Sequence, residues 1–294
     1  MGAHTQPAPP RPAPAYGRSR GYVLRFVVAP MLLVILGIGI MLAPVVSTQY
    51  QNLQQAQTAR DYTEQMQQHN AAELQAQWEN AGRWNASIST PATGDPWLDP
   101  QPDADPHYLS YLQELNITPV MARIRVPSVQ IDLPVYHGTS EQTLAHGVGH
   151  LYGSALPVGG PGTHAVLTGH TGIATATLFD NLVDVVDGDL VLVDVLGDTL
   201  AYRVDQIRVV LPHEVGALRA RADADLLTLI TCTPYGVNTH RLLVTGERVE
   251  LDAVDEPVAG IPWQPWMFWA VALSALTLLL TLTVWLIRRR RDNR

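Results

Sequence analysis

The chain has 294 residues, 47% of them hydrophobic, and a formal net charge of −8 at pH 7. Nine of the 19 basic residues lie in the two terminal tails, and nearly all of the acidic residues lie between the tails. This acidic middle part excludes nucleic-acid binding, because a protein that binds phosphates needs a basic surface to displace their counterions.

The N-terminal part predicts a cytoplasmic tail followed by a membrane span. Residues 1–25 form the predicted tail, and residues 1–20 within it are rich in Pro, Ala and Arg, which predicts disorder. Residues 26–46 are apolar and uncharged, and this run can cross a hydrocarbon core of about 30 Å. The arginines before it favour a cytoplasmic N-terminus. A cleaved signal peptide is the alternative, since small residues lie near Ala43 and Ser47, but the apolar run is long for that purpose.

Residues 47–119 are predicted to form a helical neck and a loop. Gln51–Asn85 is dominated by Gln, Ala and Glu, without proline, and its sparse apolar residues predict a helix or helical hairpin outside any core. Thr90–Pro106 carries five prolines and one glycine, which block regular structure.

Residues 120–252 are predicted to form a mainly β domain with short helices. Runs of β-branched and aliphatic residues bounded by Gly, Pro and Asp predict strands at Ala122–Val126, Ile131–Val135, His164–Leu167, Asp189–Val195, Leu200–Val210, Leu226–Thr231 and Arg241–Leu251. Short helices are predicted at Glu141–Gly147 and Ala176–Val183. Seven short strands in this order favour a barrel or a sandwich.

The C-terminal part predicts a second membrane span. Residues 253–264 form a return linker, residues 265–287 form an apolar run, and residues 288–294 form a basic tail that begins with four arginines. Those arginines favour a span over a buried core helix and place the C-terminus in the cytoplasm. The sequence therefore predicts a multi-pass membrane protein with its β domain outside the cell.

Cys232 is the single cysteine of the chain. In an exported domain an odd cysteine indicates a reactive thiol or an intermolecular disulfide, and a buried inert thiol is the alternative. Two strand patterns flank the loop after Cys232, and their pairing would make Arg241 its cross-strand neighbour, with Cβ atoms about 5 Å apart. A guanidinium at that position stabilises a thiolate and can hold an oxyanion.

Histidine is the side chain best suited to exchange a proton with a cysteine nucleophile, and the chain has ten. His170 follows an apolar strand and lies in a glycine-bracketed turn, where its ring can face a cleft. His164 begins the same strand. We predict His170 as the proton-transfer residue, although His150, His164 and His240 are open to either a catalytic or a structural role.

These motifs resemble those of the sortases. The strand end Thr228-Leu-Ile-Thr-Cys232, with Arg241 nine residues later and Thr168-Gly-His170 upstream, is similar to the catalytic pattern of that family. The run from Cys232 to Arg241 also looks like class C, the pilin-polymerising branch.

Two further features fit class C, namely a C-terminal membrane span and a lid that carries Asp-Pro-Trp. Here the motif is Asp95-Pro96-Trp97, within the proline-rich loop. An ordinary turn is the alternative interpretation of so short a motif.

The resemblance implies a sortase-like eight-stranded β-barrel with short helices, a helical neck and two transmembrane helices. It implies a cysteine transpeptidase of a Gram-positive cell membrane, with catalytic residues His170, Cys232 and Arg241 and without cofactor or metal. The substrates would be pilin or surface proteins with a Leu-Pro-x-Thr-Gly-like sorting signal, cleaved through a Cys232 thioacyl intermediate. The acceptor would be a pilin lysine, and a cell-wall precursor is a further candidate.

Three other functions stay open on the sequence. A housekeeping sortase would attach proteins to cell-wall peptide, and a cysteine hydrolase would pass the acyl group to water. A membrane-bound scaffold or adhesin would leave Cys232 unreactive.

Overall fold

The computed structural model describes residues 25, 28–88, 95–97, 105–214, 218–251 and 260–292. Most of the predicted tail at residues 1–25 and residues 253–259 of the predicted return linker lie outside this range. The chain forms two compact units, Met1–Ala43 with Phe268–Arg294 and Pro44–Met267.

The helices are α1 (Ala29–Gln68), α2 (Ala71–Ser87), α3 (Pro106–Tyr111), α4 (Glu141–His146) and α5 (Pro265–Asp292), with 3₁₀ turns at Pro127–Val129 and Asp180–Asp184. The strands are β1 (Ala122–Val126), β2 (Ile131–His137), β3 (Val148–His150), β4 (Thr163–Thr168), β5 (Leu190–Val195), β6 (Asp198–Val210), β7 (Asp225–Thr233) and β8 (His240–Val249).

Within the residues that the structure describes, two helices are long and apolar enough to cross a membrane, Ala29–Gln68 and Pro265–Arg291. The second starts at the predicted residue. The first runs on without interruption through Pro44 and past residue 46, so the predicted boundary between span and neck is not a break in the helix.

The neck is helical, with α1 and α2 separated by two residues, and the expectation that it contributes nothing to a core is wrong. Tyr62 and Met66 of α1 are 3% and 1% exposed and belong to the main hydrophobic cluster. The Tyr62 hydroxyl donates to the carbonyl of Met121 at 3.0 Å and accepts from the Leu196 amide at 3.0 Å. A narrow stripe of large side chains is therefore enough to attach α1 to the β domain, although the C-terminal part of this helix, from Gln51 to Gln68, is mostly polar.

The eight strands close into a barrel in the order β1-β2-β3-β4-β7-β8-β6-β5. The pairs β2–β3 and β4–β7 are parallel, and the other pairs are antiparallel. The eight-stranded barrel implied by the resemblance is thus confirmed. The strand that pattern analysis missed is β3, which has only three residues, one of them a glycine, and so shows no alternation.

The barrel interior is filled by aliphatic side chains from strands on all sides, and it is a packed core. Ile124, Val135, Leu167, Leu229 and Val244 are each at most 1% exposed. Burial of one such side chain stabilises the fold by about 1.5–3 kcal/mol relative to leaving it in water.

The two short helices differ in how well they were predicted. Helix α4 is present, and the Ser140 hydroxyl caps it by accepting from the Thr143 amide at 3.1 Å. The helix expected at Ala176–Val183 is only the 3₁₀ turn Asp180–Asp184. Before that turn, Thr177 is held by hydrogen bonds to Asn52 of α1.

Strands β4 and β7 position the candidate site. Their parallel register pairs Thr168 with Ile230, so both strands end at the same edge of the barrel. His170 and Cys232 each follow these paired residues by two positions. Strand β8 then returns antiparallel to β7 and brings Arg241 to the same edge.

Candidate active site

The predicted pairing of Cys232 and Arg241 is confirmed. The two residues are direct cross-strand partners in the β7–β8 ladder. Their exposed fractions are only 7% and 5%, so the thiol and the guanidinium share an environment with little water. Electrostatic interactions are stronger in such an environment than in bulk solvent.

His170 lies in a turn that is tied to β7. The Gly169 amide donates to the Ile230 carbonyl at 3.1 Å, and the Thr231 hydroxyl donates to the Gly169 carbonyl at 2.7 Å. A Cβ on Gly169 would lie 2.6 Å from the ring of Phe179, so only glycine allows this approach. The two hydrogen bonds of Gly169, the residue before His170, therefore hold this part of the backbone next to β7, the strand that carries Cys232.

Asp180 closes the turn after His170, a role that the sequence analysis missed. One of its carboxylate oxygens accepts from the Thr171 hydroxyl at 2.9 Å and from the Gly172 amide at 2.8 Å. Burial raises the pKa of Asp180, whereas these two hydrogen bonds lower it. Gly172 has φ +76°, a conformation that favours glycine. No local motif marks Asp180, which is recognisable only once the turn is folded.

Asp95 forms a buried ion pair with Arg241. Its carboxylate accepts from Arg241 Nε at 2.7 Å and from Nη2 at 3.1 Å, the two-pronged geometry that suits a guanidinium. Asp95 is 4% exposed. The carboxylate also accepts from the Trp97 amide at 3.0 Å, which shapes the turn.

Pro96 and Trp97 complete the contact. The Arg241 guanidinium carbon lies 4.7 Å from the centre of the Trp97 ring, within the range of a cation–π interaction. Trp97 Nε1 donates to His170 Nδ1 at 3.4 Å, and the Pro96 carbonyl accepts from the Thr139 hydroxyl at 3.1 Å. The Asp95-Pro96-Trp97 segment thus lies against Arg241 and His170. The neighbouring loop residues 89–94 and 98–104 lie outside the described range.

The surroundings of Cys232 and His170 favour the neutral form of both side chains. Burial raises the pKa of the Cys232 thiol; the Arg241 charge lowers it, and the Asp95 charge raises it. Burial lowers the pKa of His170, and the charge of Glu141 opposes this shift by raising it. The bond from Trp97 also requires His170 Nδ1 to be unprotonated. With the segment in place, the arrangement therefore stabilises a thiol and a neutral imidazole.

Two of the other candidate histidines lie inside the β domain with hydrogen-bond partners. His164 Nε2 is 2.7 Å from the Thr228 hydroxyl. His150 is fully buried between the Tyr111 hydroxyl at 2.9 Å and the Ala155 carbonyl at 2.8 Å. His240, half-buried at the start of β8, contacts the Thr239 hydroxyl at 2.9 Å.

Comparison with known proteins shows the family of this chain. The sortase domain family matches residues 124–249. The crystal structure of sortase C-1 from Actinomyces oris is 53% identical, with a TM-score of 0.60, over 61% of this chain and 99% of that one. This chain belongs to the sortase family.

Two further sortase structures are similar. The lid mutant of sortase A from Corynebacterium diphtheriae is 47% identical, with a TM-score of 0.59, over 63% of this chain and 98% of that one. Sortase C from Streptococcus pneumoniae is 36% identical, with a TM-score of 0.61, over 67% of this chain and 99% of that one. The presence of sortases C among these neighbours supports class C.

The curated relatives of this sortase are more distant. It is 29% identical to sortase A of Bacillus anthracis over 130 residues, or 44% of this chain. The chain spans about three fifths of the length of the curated relatives that it matches, 60% and 58% in the two first cases.

Proposed function

We propose that this sortase is a cysteine transpeptidase that cleaves a Leu-Pro-x-Thr-Gly-like sorting signal and transfers the acyl part to an amine, in order to polymerise pilin. The observation that carries the proposal is the direct pairing of the single cysteine with Arg241, at the barrel edge where the His170 turn also lies. Family membership raises the expectation of this chemistry, and the matched residues carry it.

In the first half-reaction the Cys232 sulfur attacks the threonine carbonyl carbon of the signal. Arg241 donates to the oxyanion that develops on that carbonyl oxygen. The carbon–nitrogen bond between threonine and glycine then breaks, and protonated His170 gives its proton to the departing glycine amine. The products are a thioester on Cys232, a free C-terminal peptide and a neutral imidazole.

In the second half-reaction an amine attacks the thioester carbonyl. His170 takes the proton that the amine loses, and the carbon–sulfur bond breaks to regenerate the thiolate. A pilin lysine as the amine would give an isopeptide bond. Two observations support it, namely the similarity to sortase C of Streptococcus pneumoniae, whose structure was described in terms of pilin substrate specificity, and the Asp95-Pro96-Trp97 segment.

The Asp95-Pro96-Trp97 segment acts in this proposal as a lid. While it is closed, Asp95 occupies the guanidinium that the oxyanion needs, and Trp97 occupies His170. Opening would rehydrate the site and remove the Asp95 charge, so the pKa of Cys232 would fall and that of His170 would rise, towards the reactive ion pair. The lid mutant of the corynebacterial sortase A shows that a lid is recognised in that similar protein.

We also place the β domain outside the cell and both termini in the cytoplasm. Two helices can span a membrane, and arginines precede the first and follow the second. An extracellular site is where a substrate with a surface sorting signal would meet the enzyme.

The test uses the full chain in detergent micelles, as wild type and with Asp95→Ala to release the lid. Each protein is mixed with a sorting-signal peptide, and intact mass spectrometry follows an acyl adduct on Cys232. We expect the adduct in both and its absence in Cys232→Ala, whose far-UV circular dichroism should be unchanged. Absence of the adduct from the lid-released protein would refute the proposal.

Acceptors then separate the related functions. A lysine-containing pilin peptide, a cell-wall peptide and water are offered to the preformed adduct. Preference for the lysine peptide is expected. Preference for the cell-wall peptide would identify a housekeeping sortase, and rapid release to water in the presence of both amines would identify a hydrolase.

A further inference from the structure

The loop from Thr171 to Leu178 connects the His170 turn to the Asp180–Asp184 3₁₀ turn, and it is held from outside by α1. Asn52 of α1 meets Thr177 across a sequence separation of 125 residues. Its amide nitrogen donates to the Thr177 hydroxyl at 2.8 Å, and its carbonyl oxygen accepts from the Thr177 backbone amide at 2.9 Å. One side chain therefore bonds both the hydroxyl and the backbone amide of Thr177.

This contact is buried. Asn52 is 5% exposed and Thr177 is 2% exposed. Hydrogen bonds between buried groups are costly to lose, because the remaining partner is left without water or protein. A second contact lies one helical turn away, where the Thr48 hydroxyl donates to the Ala174 carbonyl at 3.0 Å. Residues four apart share a helix face, so α1 presents one face to the loop.

The loop needs this support because its backbone is unfavourable just beyond Thr177. Leu178 has φ 43°, in the left-handed region that a branched side chain rarely occupies. Such a conformation persists only where surrounding contacts enforce it. Asn52 on one side and the buried Leu178 side chain, 3% exposed, on the other supply those contacts.

The loop in turn fixes the backbone of the catalytic histidine. The Phe179 amide, two residues after Thr177, donates to the His170 carbonyl at 3.1 Å. The same Phe179 ring lies against Gly169. A shift at Thr177 is therefore transmitted to the position of His170 through one short, hydrogen-bonded loop.

We propose that Asn52, acting through Thr177, is a positioning residue for His170, so that α1 sets the geometry of the catalytic histidine from the neck. The inference rests on the proposed function. It assigns α1 a part in the reaction besides connecting the β domain to the apolar half of the same helix. Asn52 touches no reacting atom, and its effect is expected on turnover rather than on substrate binding.

The test compares four full-length variants in the Asp95→Ala background, so that lid opening does not limit the rate. Asn52→Ala removes both hydrogen bonds, and Gln51→Ala alters the exposed neighbour on the same helix as the control. Thr177→Val removes the hydroxyl at nearly constant shape, and Thr177→Ser restores it. The measurements are kcat and KM for peptide cleavage and hydrogen exchange of residues 171–179.

Asn52→Ala is expected to lower kcat by about 10-fold or more with KM unchanged, since small misplacements of catalytic groups can cost up to about 10²-fold. Exchange in residues 171–179 should accelerate in the same variant. Thr177→Val should show a smaller loss of kcat, and Thr177→Ser and Gln51→Ala should match the background protein.

Unchanged kcat and unchanged exchange in Asn52→Ala would overturn the inference, as would a loss of kcat in Thr177→Ser equal to that in Thr177→Val. If the background protein does not cleave peptide, the proposed function fails. Hydrogen exchange then decides the inference alone, because unchanged exchange in Asn52→Ala would show that the loop does not depend on α1.

Discussion

Replacement of Asp95 with alanine should open the lid that we propose and accelerate alkylation of Cys232. The carboxylate is 4% exposed and its partner Arg241 is 5% exposed, so both charges are buried when the lid is closed. Removal of one partner from a buried ion pair typically costs about 3–5 kcal/mol. Here the lid can move away and let Arg241 hydrate, so this cost shifts the opening equilibrium instead of unfolding the barrel.

The magnitude follows from that shift. Each 1.4 kcal/mol changes an equilibrium constant about tenfold, so 3 kcal/mol corresponds to roughly 10²-fold more open protein. Trp97 keeps its contact with Arg241 in this variant, which favours the lower end of the range. We therefore expect alkylation to be about 10² times faster than in wild type.

The assay uses iodoacetamide, which is neutral, so a change of charge at the site does not bias its approach. Rates are followed by mass spectrometry over a range of pH. The Asp95 charge raises the pKa of Cys232, so its removal also increases the thiolate fraction. Comparison of the plateaus at high pH, where the thiol is ionised in both proteins, isolates access. Asp61→Ala, an exposed carboxylate on α1, is the control.

Equal plateau rates in wild type and Asp95→Ala would refute the gating argument. They would show that the segment is an ordinary turn that leaves the thiol accessible. A shift of the pH midpoint alone would show that Asp95 acts on the ionisation of Cys232 and not on its exposure.

Three further predictions concern charge and protonation. Arg241→Lys keeps the charge but loses the planar set of donors, and single-turnover acylation should slow by about 10²-fold or more; an unchanged rate would contradict the oxyanion role. His170→Ala should abolish acylation while His164→Ala retains it, and the reverse order would show that His164 is the proton donor. Burial lowers the pKa of His150 from its ordinary 6.5 to about 4. As the pH falls, His150 is therefore protonated in the unfolded state before it is protonated in the folded state. The contribution of His150 to the free energy of unfolding should thus be fully present above pH 6.5, and the free energy of unfolding should fall by roughly 3 kcal/mol towards pH 4. In His150→Gln, the free energy of unfolding measured with urea should depend less on pH across that range. An equal dependence on pH in the two proteins would contradict this assignment.

The strands that position the site could be predicted because their side chains repeat every two residues. Strands β7 and β8 read clearly from apolar runs, and their pairing then placed Arg241 beside Cys232. Strand β3 could not be predicted, since three residues are too few to show a period. The helical character of residues 29–68 was also predictable, but the unbroken passage of α1 through Pro44 was not, and its attachment through Tyr62 depends on a surface that exists only in the folded barrel.

The supports of the site were harder to find than its chemistry. Cys232 and His170 carry motifs that are local in sequence. Asp180 accepts from the Thr171 hydroxyl and the Gly172 amide, and Asn52 bonds Thr177 across 125 residues. Such contacts are set by tertiary packing, and a single sequence contains no local signal for them.

The parallel pairing of β4 and β7 also makes the site depend on two contacts that differ greatly in their separation along the chain. Cys232 and Arg241 belong to one hairpin, which closes across few residues and can form early. The Gly169–Thr231 bond that brings His170 to the cysteine strand closes a gap of 62 residues, and the entropy of that loop must be overcome first. We therefore expect the thiol to meet its arginine before its histidine as the domain folds. We expect oxidation of Cys232 to be faster in that interval than in the folded barrel, where this thiol is 7% exposed, so rapid barrel closure would protect it.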